Sequence, residues 1–245
     1  MSTGFPAAVV WDLDGTLVDS ATDIARSLNR LFADIGLPSL AEDSVRGLIG
    51  EGVATLIERA LDAVGNRRGD LPSGEELVAR FLSFYTEDAG RSTRLYPGAR
   101  KALQQLGNSG IRHAICTNKP ERITRKILSD LGVGRHFEIV IGGDTLARRK
   151  PDPLPLKAAL AGLDVLSGEA LMIGDSAIDV ATARAAGVMI GVVSFGYARA
   201  PIATLDADFL VNDLATLPAT VAALGHGRGD KALCRSQDTA TRVSR

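Results

Sequence analysis

The stretch Ala7-Ala8-Val9-Val10-Trp11-Asp12-Leu13-Asp14-Gly15-Thr16-Leu17-Val18-Asp19-Ser20 carries the reading of the fold. A short apolar run ends on an acidic pair and a glycine. Such a run, bounded by turn residues, suits a strand buried on both faces of a parallel sheet. In an open α/β sheet, ligands bind beyond the carboxyl ends of the strands. Asp12 and Asp14 are alternate residues, so in extended chain their side chains start on the same side. Two carboxylates so placed repel unless a cation or a shared proton intervenes. Gly15 permits a sharp turn and is expected to bare backbone N–H groups to an anion. Taken alone, the stretch reads equally as a turn with two solvated aspartates. A calcium loop is excluded. An EF-hand needs Gly at its sixth position and Glu at its twelfth, and counting from Asp12 these are Leu17 and Asp23.

Further along the chain the same pattern recurs. Apolar runs at Arg112–Cys116, Glu138–Ile141, Ala170–Ile173, Val188–Val193 and Asp208–Val211 each precede polar or turn residues. Helical spacing lies between them, in Ile123, Ile127, Leu128 and Leu131, then in Leu156, Leu160 and Leu163. This alternation predicts an α/β fold, a doubly wound parallel sheet of Rossmann-like type. The interval 20–90 differs, because no strand-like run occurs in it. Its apolar residues fall in three helical stripes: Ile24, Leu28, Leu31, Phe32 and Ile35; Val53, Leu56, Ile57, Ala60, Leu61 and Val64; Leu77, Val78, Phe81, Leu82 and Tyr85. That predicts a small helical cap inserted after the first strand, with a loop over 65–74. The expected organisation is a core from 1–19 and 91–224, a helical cap at 20–90, and a flexible tail at 225–245, where periodicity ends.

Three later segments place polar groups at strand ends or in loops. Thr117 and Asn118, in Ile115-Cys116-Thr117-Asn118-Lys119-Pro120, offer a hydroxyl and a backbone N–H suited to a phosphate oxygen. A Thr in that place is also a common helix N-cap, and Pro120-Glu121 reads as a helix start. Lys150, in Arg148-Arg149-Lys150-Pro151-Asp152-Pro153, can serve as a fixed cation for a phosphoryl group. A basic run is otherwise a solvated face. Asp175 and Asp179, in Met172-Ile173-Gly174-Asp175-Ser176-Ala177-Ile178-Asp179, follow another strand, one helical turn apart. With Asp12 and Asp14 they compose a hard-oxygen site for Mg²⁺. Each segment has a bland alternative; the set, in order along one sheet, is the equipment for phosphoryl transfer.

Composition narrows the classes further. Among 245 residues, 45% are hydrophobic and 23% charged, with a net charge of -1. That balance gives no electrostatic pull toward nucleic acid or an anionic membrane. No apolar run approaches the ~20 residues of a membrane span. Cys116 and Cys234 are too few and too far apart for a disulfide scaffold or zinc knuckle. The first residues lack the basic and long apolar regions of a signal peptide, so a cytoplasmic protein is expected. Heptads, repeats and charge blocks that would suggest a structural protein are absent. A monomer or weak homodimer is expected.

These segments resemble the haloacid dehalogenase superfamily, across nearly the whole chain to about Gly225. The resemblance implies that Asp12 attacks phosphorus and that Asp14 acts first as acid and then as base. It assigns Thr117 and Lys150 to the phosphate, and the metal to Asp12, the Asp14 backbone carbonyl and Asp175. Asp179 would support the metal through its water shell or orient Lys150. Dehalogenating members attack carbon and lack an acid at the Asp14 position, and mutase relatives typically carry Val where this chain has Thr16. Within the hydrolases the chain is similar to the phosphoglycolate phosphatase family. The segments Asp12–Ser20, Arg46-Gly47-Leu48-Ile49-Gly50-Glu51-Gly52-Val53 and Leu95-Tyr96-Pro97-Gly98 carry that similarity, together with Phe195-Gly196-Tyr197. Trp11 stands where Phe is usual, and Ala198-Arg199-Ala200-Pro201 is less typical. The expected substrate is therefore a small phosphate ester, 2-phosphoglycolate first. Alternatives are a sugar phosphate, an amino-sugar acid phosphate, a nucleotide, pyrophosphate, or a phosphate-binding protein without turnover. Arg46 is expected to pair with a substrate carboxylate, with Gly50 and Gly52 letting its loop approach. Arg46 as a plain surface residue is the competing reading.

Overall fold

The computed structural model describes residues 5–65, 71–197 and 201–225. Half of the expected loop at 65–74, the atypical Ala198-Arg199-Ala200, and the expected tail beyond Gly225 lie outside the described residues. In chain order the elements are β1 (Ala8–Trp11), β2 (Val18–Asp19), α1 (Ala21–Asp34), α2 (Glu42–Arg46), α3 (Val53–Ala63), α4 (Gly74–Asp88), β3 (Arg94–Leu95), α5 (Ala99–Asn108), β4 (Arg112–Cys116) and α6 (Glu121–Asp130). There follow β5 (Ile139–Ile141), α7 (Leu154–Gly162), β6 (Ala170–Gly174), α8 (Ala177–Ala186), β7 (Met189–Val193) and β8 (Phe209–Val211), and a last helix over 217–225.

Six strands form one parallel sheet in the order β5-β4-β1-β6-β7-β8. The chain runs outward from β1 through β4 to β5, then crosses back and runs outward through β6, β7 and β8. Strand β1 thus sits at the switch point, where such sheets open a crevice. Trp11 is level with Ile115 of β4 and Ile173 of β6. That register brings Asp12, Thr117 and Asp175 to nearly one height at the carboxyl end. Both faces are covered, as the continuous apolar runs required. Val9, Trp11, Ile115 and Ile173 pack toward α5 and α6; Ala8, Val10, Cys116 and Met172 pack toward α7 and α8. The indole at Trp11 has its own reason: its N–H donates to His113 Nδ1 (3.1 Å), and His113 Nε2 lies 3.2 Å from the Leu103 carbonyl. Burial lowers the His113 pKa to about 4, so the ring stays neutral and can accept from the indole.

Between β2 and β3 the regular elements among the described residues are all helices, and the three predicted stripes are the inward faces of α1, α3 and α4. Two elements escaped the sequence. Helix α2 spans five residues, and β2 pairs antiparallel with β3 over two residues each. Elements so short carry no readable period. The β2–β3 ribbon ties together the two chain crossings into the helical segment. Asp23, buried in α1, reinforces that tie by accepting the N–H groups of Gly90 (3.1 Å), Ser92 (2.9 Å) and Thr93 (2.9 Å). Among the described residues, no helix is long and apolar enough to cross a membrane.

Candidate active site

The turn after β1 folds on one oxygen. The Leu13 carbonyl accepts N–H groups from Thr16 (3.2 Å), Leu17 (2.9 Å) and Val18 (3.0 Å). Gly15 is not the anion donor its sequence context suggests. Its N–H donates to the Val18 carbonyl at 2.9 Å, and the residue is buried. Glycine is required for another reason: at φ +82° a Cβ would stand 2.2 Å from Asp175 Oδ2. The missing side chain lets the Asp12 turn close against the Asp175 loop.

Lys150 holds the centre. Its ammonium lies 2.9 Å from Asp12 Oδ1 and 2.6 Å from Asp179 Oδ1, with all three residues buried. The Asp179 carboxylate also builds its own helix end. Oδ2 accepts the N–H of Ser176 (3.1 Å) and of Asp175 (3.2 Å), and the Ser176 hydroxyl (2.7 Å), while Ser176 Oγ caps α8. One residue therefore caps a helix and orients the lysine. Burial, and then repulsion from Asp179, raise the Asp12 pKa to about 6 against the pull of Lys150. Asp175 is pushed up further, by burial first and then by Asp179 and Asp12. Burial opposes the Lys150 charge, but Asp12 and Asp179 outweigh it and raise its pKa. The site holds a buried carboxylate, Asp12, beside a permanent cation.

Asp14 faces the other way. Its carboxylate takes Lys119 Nζ at 2.9 Å from each oxygen and the Ser20 hydroxyl at 2.5 Å. Lys119 also contacts the Tyr85 hydroxyl, from α4, and lies 4.6 Å from that ring's centre. A cavity of about 40 Å³ opens here, lined by Asp12, Asp14, Thr117, Asn118 and Lys119 from the sheet and by Ile24, Gly50, Gly52, Val53, Leu56, Phe81 and Tyr85 from the helical segment. Thr117 is not a helix cap: its hydroxyl accepts the Lys119 N–H (3.3 Å), and α6 begins after Pro120. The Asn118 amide bridges the two halves, donating to Gly50 O (3.1 Å) and Lys150 O (3.0 Å). Gly50 and Gly52 do bring their loop over the sheet, at φ +122° and +92°.

Arg46 is not part of this cavity among the described residues. Its guanidinium lies 3.1 Å from Asp19 and 3.5 Å from Glu42, over the Tyr197 ring at 5.1 Å. Tyr197 in turn donates its hydroxyl to Asp19 (2.7 Å) and its N–H to Asp175 (2.6 Å). Arg46, expected to pair with a substrate carboxylate, pairs here with Asp19 and Glu42 and stands outside the described lining of the cavity. Sequence reading missed Lys119 and Tyr85. Lys119 lay inside a quoted motif, and its only signal was a cation three residues beyond a strand end.

Asp12, Asp175 and Asp179 offer oxygens that all lie within 4.8 Å of one another. The donors are hard oxygens, and two of the three carboxylates have pKa values raised by burial first and then by their acidic neighbours. A divalent cation relieves both conditions, so the residues fit one. The Asp14 carboxylate stands apart from this cluster.

A carboxylate held beside a buried lysine and an acidic cation site, at the switch point of a parallel sheet, defines a hydrolase of the phosphoryl-transferring class. The chain belongs to the haloacid dehalogenase-like hydrolases, whose family model matches residues 9–193. It is 46% identical over 215 residues to the phosphoglycolate phosphatase of Rhodospirillum rubrum, covering 86% of this chain and 89% of that one. With the plasmid phosphoglycolate phosphatase of Cupriavidus necator it shares 41% over 213 residues, covering 86% and 91%. A solved structure from Haemophilus somnus 129pt, described as a predicted phosphoglycolate phosphatase, matches with a TM-score of 0.82 at 30% identity, covering 86% of this chain and 96% of that chain.

Proposed function

We propose that this phosphatase hydrolyses 2-phosphoglycolate to glycolate and phosphate, with Mg²⁺ at the Asp12–Asp175–Asp179 cluster. The observation that carries the chemistry is the buried Asp12 carboxylate 2.9 Å from Lys150, with Asp14 lining the same cavity. The names of the relatives support the substrate.

Asp12 attacks phosphorus, and the bond from phosphorus to the ester oxygen breaks. Asp14 gives its proton to that leaving oxygen. Asp14 then takes a proton from water, the resulting hydroxide attacks phosphorus, and the bond to Asp12 breaks to restore the carboxylate. Lys150, Thr117 and Asn118 face the phosphoryl oxygens. Bound Mg²⁺ supplies the positive charge that lets an anionic nucleophile approach an anionic phosphoryl group. Residues 20–90 act as a cap on a core formed by 1–19 and 91–224. Closing the cap excludes water that would compete for the phosphoryl group.

The test is phosphate release from 2-phosphoglycolate, sugar phosphates, amino-sugar acid phosphates, nucleotides and pyrophosphate, with Mg²⁺ and with EDTA. Magnesium-dependent release led by 2-phosphoglycolate is expected. A lead by another ester moves the substrate to that class, and no release from any overturns the reading.

A further inference from the structure

The mechanism leaves one buried cation without a task. Among the described residues lining the cavity, Lys119 is the one cation. Its side chain is 2% exposed, and Asp14 is its one recorded anionic partner. The Tyr85 hydroxyl beside it carries no charge, because burial raises its pKa well above the ordinary value. The other cations nearby are committed or outside. Lys150 is held by Asp12 and Asp179, and Arg46 by Asp19 and Glu42. Arg149 lies beside Gly52 but is exposed. The cavity lining also includes the apolar side chains of Ile24, Val53, Leu56 and Phe81.

Asp14 must lie within hydrogen-bond reach of the leaving oxygen to protonate it. Lys119 Nζ sits 2.9 Å from both oxygens of Asp14. A group one carbon beyond the leaving oxygen therefore falls within reach of the ammonium. Resting on the phosphatase reading above, we propose that Lys119 is the specificity residue for an anionic leaving group: its ammonium passes from the Asp14 carboxylate to a carboxylate on the substrate. The exchange is charge-conserving, since the buried ammonium keeps one anionic partner throughout. A neutral leaving group offers no partner and leaves Lys119 on Asp14. The side chains of Ile24, Val53, Leu56 and Phe81 carry no charge, so Lys119 is the cation that reads the anion there.

The test is calorimetric titration of the Asp12→Asn protein, with Mg²⁺, against 2-phosphoglycolate and its neutral amide, 2-phosphoglycolamide. The carboxylate is expected to bind roughly 10- to 100-fold tighter, the range for one charge-assisted hydrogen bond. Adding Lys119→Met should erase that preference, and Lys119→Arg should keep part of it. Inorganic phosphate should bind all three proteins alike, which reports an intact phosphoryl site. A preference that survives Lys119→Met, or that is absent before it, overturns the proposal. So does loss of phosphate binding together with the preference, since that is a merely structural role. Phosphate release by the native protein with a Lys119-independent preference sinks this inference alone; a Lys119-dependent preference without release sinks only the phosphatase reading.

Discussion

Two lysine–aspartate pairs sit side by side at the end of this sheet, and they are built differently. Lys150 is enclosed by Asp12 and Asp179, and Asp179 is itself locked by the N–H groups that start α8. Lys119 meets one carboxylate, Asp14, on the wall of an open cavity, and its other neighbour is a tyrosine of the helical segment. The first pair has all its partners at the end of the six-stranded sheet. The second spans the join between the halves and can change partners. A buried ion pair is weak evidence of stability, yet removing one partner strands the other. The difference thus separates a cation shared by two carboxylates from one that meets a single carboxylate.

The comparison can be broken at several points. Asp12→Asn has the largest expected effect: phosphate release falls to background in a folded protein, and activity that survives removes the nucleophile from the Lys150 cluster. Lys150→Met leaves Asp12 and Asp179 unneutralised and should cost about 3–5 kcal/mol, read as a melting temperature lower by roughly 10 °C. Lys119→Met should cost clearly less, because Asp14 keeps the Ser20 hydroxyl; equal losses would erase the distinction.

A pH series sharpens it next. The Asp12 pKa is raised from 3.8 to about 6 in the folded protein. Within that window the folded state keeps a proton that the unfolded state has released, so this group's contribution to stability falls as pH rises. Without divalent cation, the melting temperature of the native protein relative to Asp12→Asn should therefore drop from about pH 4 to about pH 6. Added Mg²⁺ should recover more at the upper end than at the lower. Gly15→Ala should cost about 1–3 kcal/mol through the φ +82° turn and the crowded Asp175, measured by denaturant titration. The smallest effect belongs to Arg46→Ala. Its half-exposed pair with Asp19 is worth under about 1 kcal/mol, and the preference for 2-phosphoglycolate over p-nitrophenyl phosphate should stay the same.

Much of the sheet half was legible in the chain. Asp12, Thr117 and Asp175 each follow a continuous apolar run, and such runs are read locally. Lys150 and Asp179 were legible for the same reason, being placed by a loop and by the first turn of a helix. The join was not. Lys119 has its acidic partner 105 residues away, and Arg46 is neutralised by Asp19 and stacked on Tyr197. Neither pairing leaves a period or a motif. Gly15 shows the same limit at short range. Its need for a positive φ was readable, but the neighbour that excludes a Cβ comes from Asp175.

By itself the sequence determined the alternation of strand and helix, the helical insert, and the polar residues waiting at strand ends, because hydrophobic periodicity is a property of consecutive residues. The tertiary structure alone decided the order β5-β4-β1-β6-β7-β8, and with it which lysine meets which aspartate. Charge pairing depends on distance through space, and that distance exists only once the strands have been laid side by side.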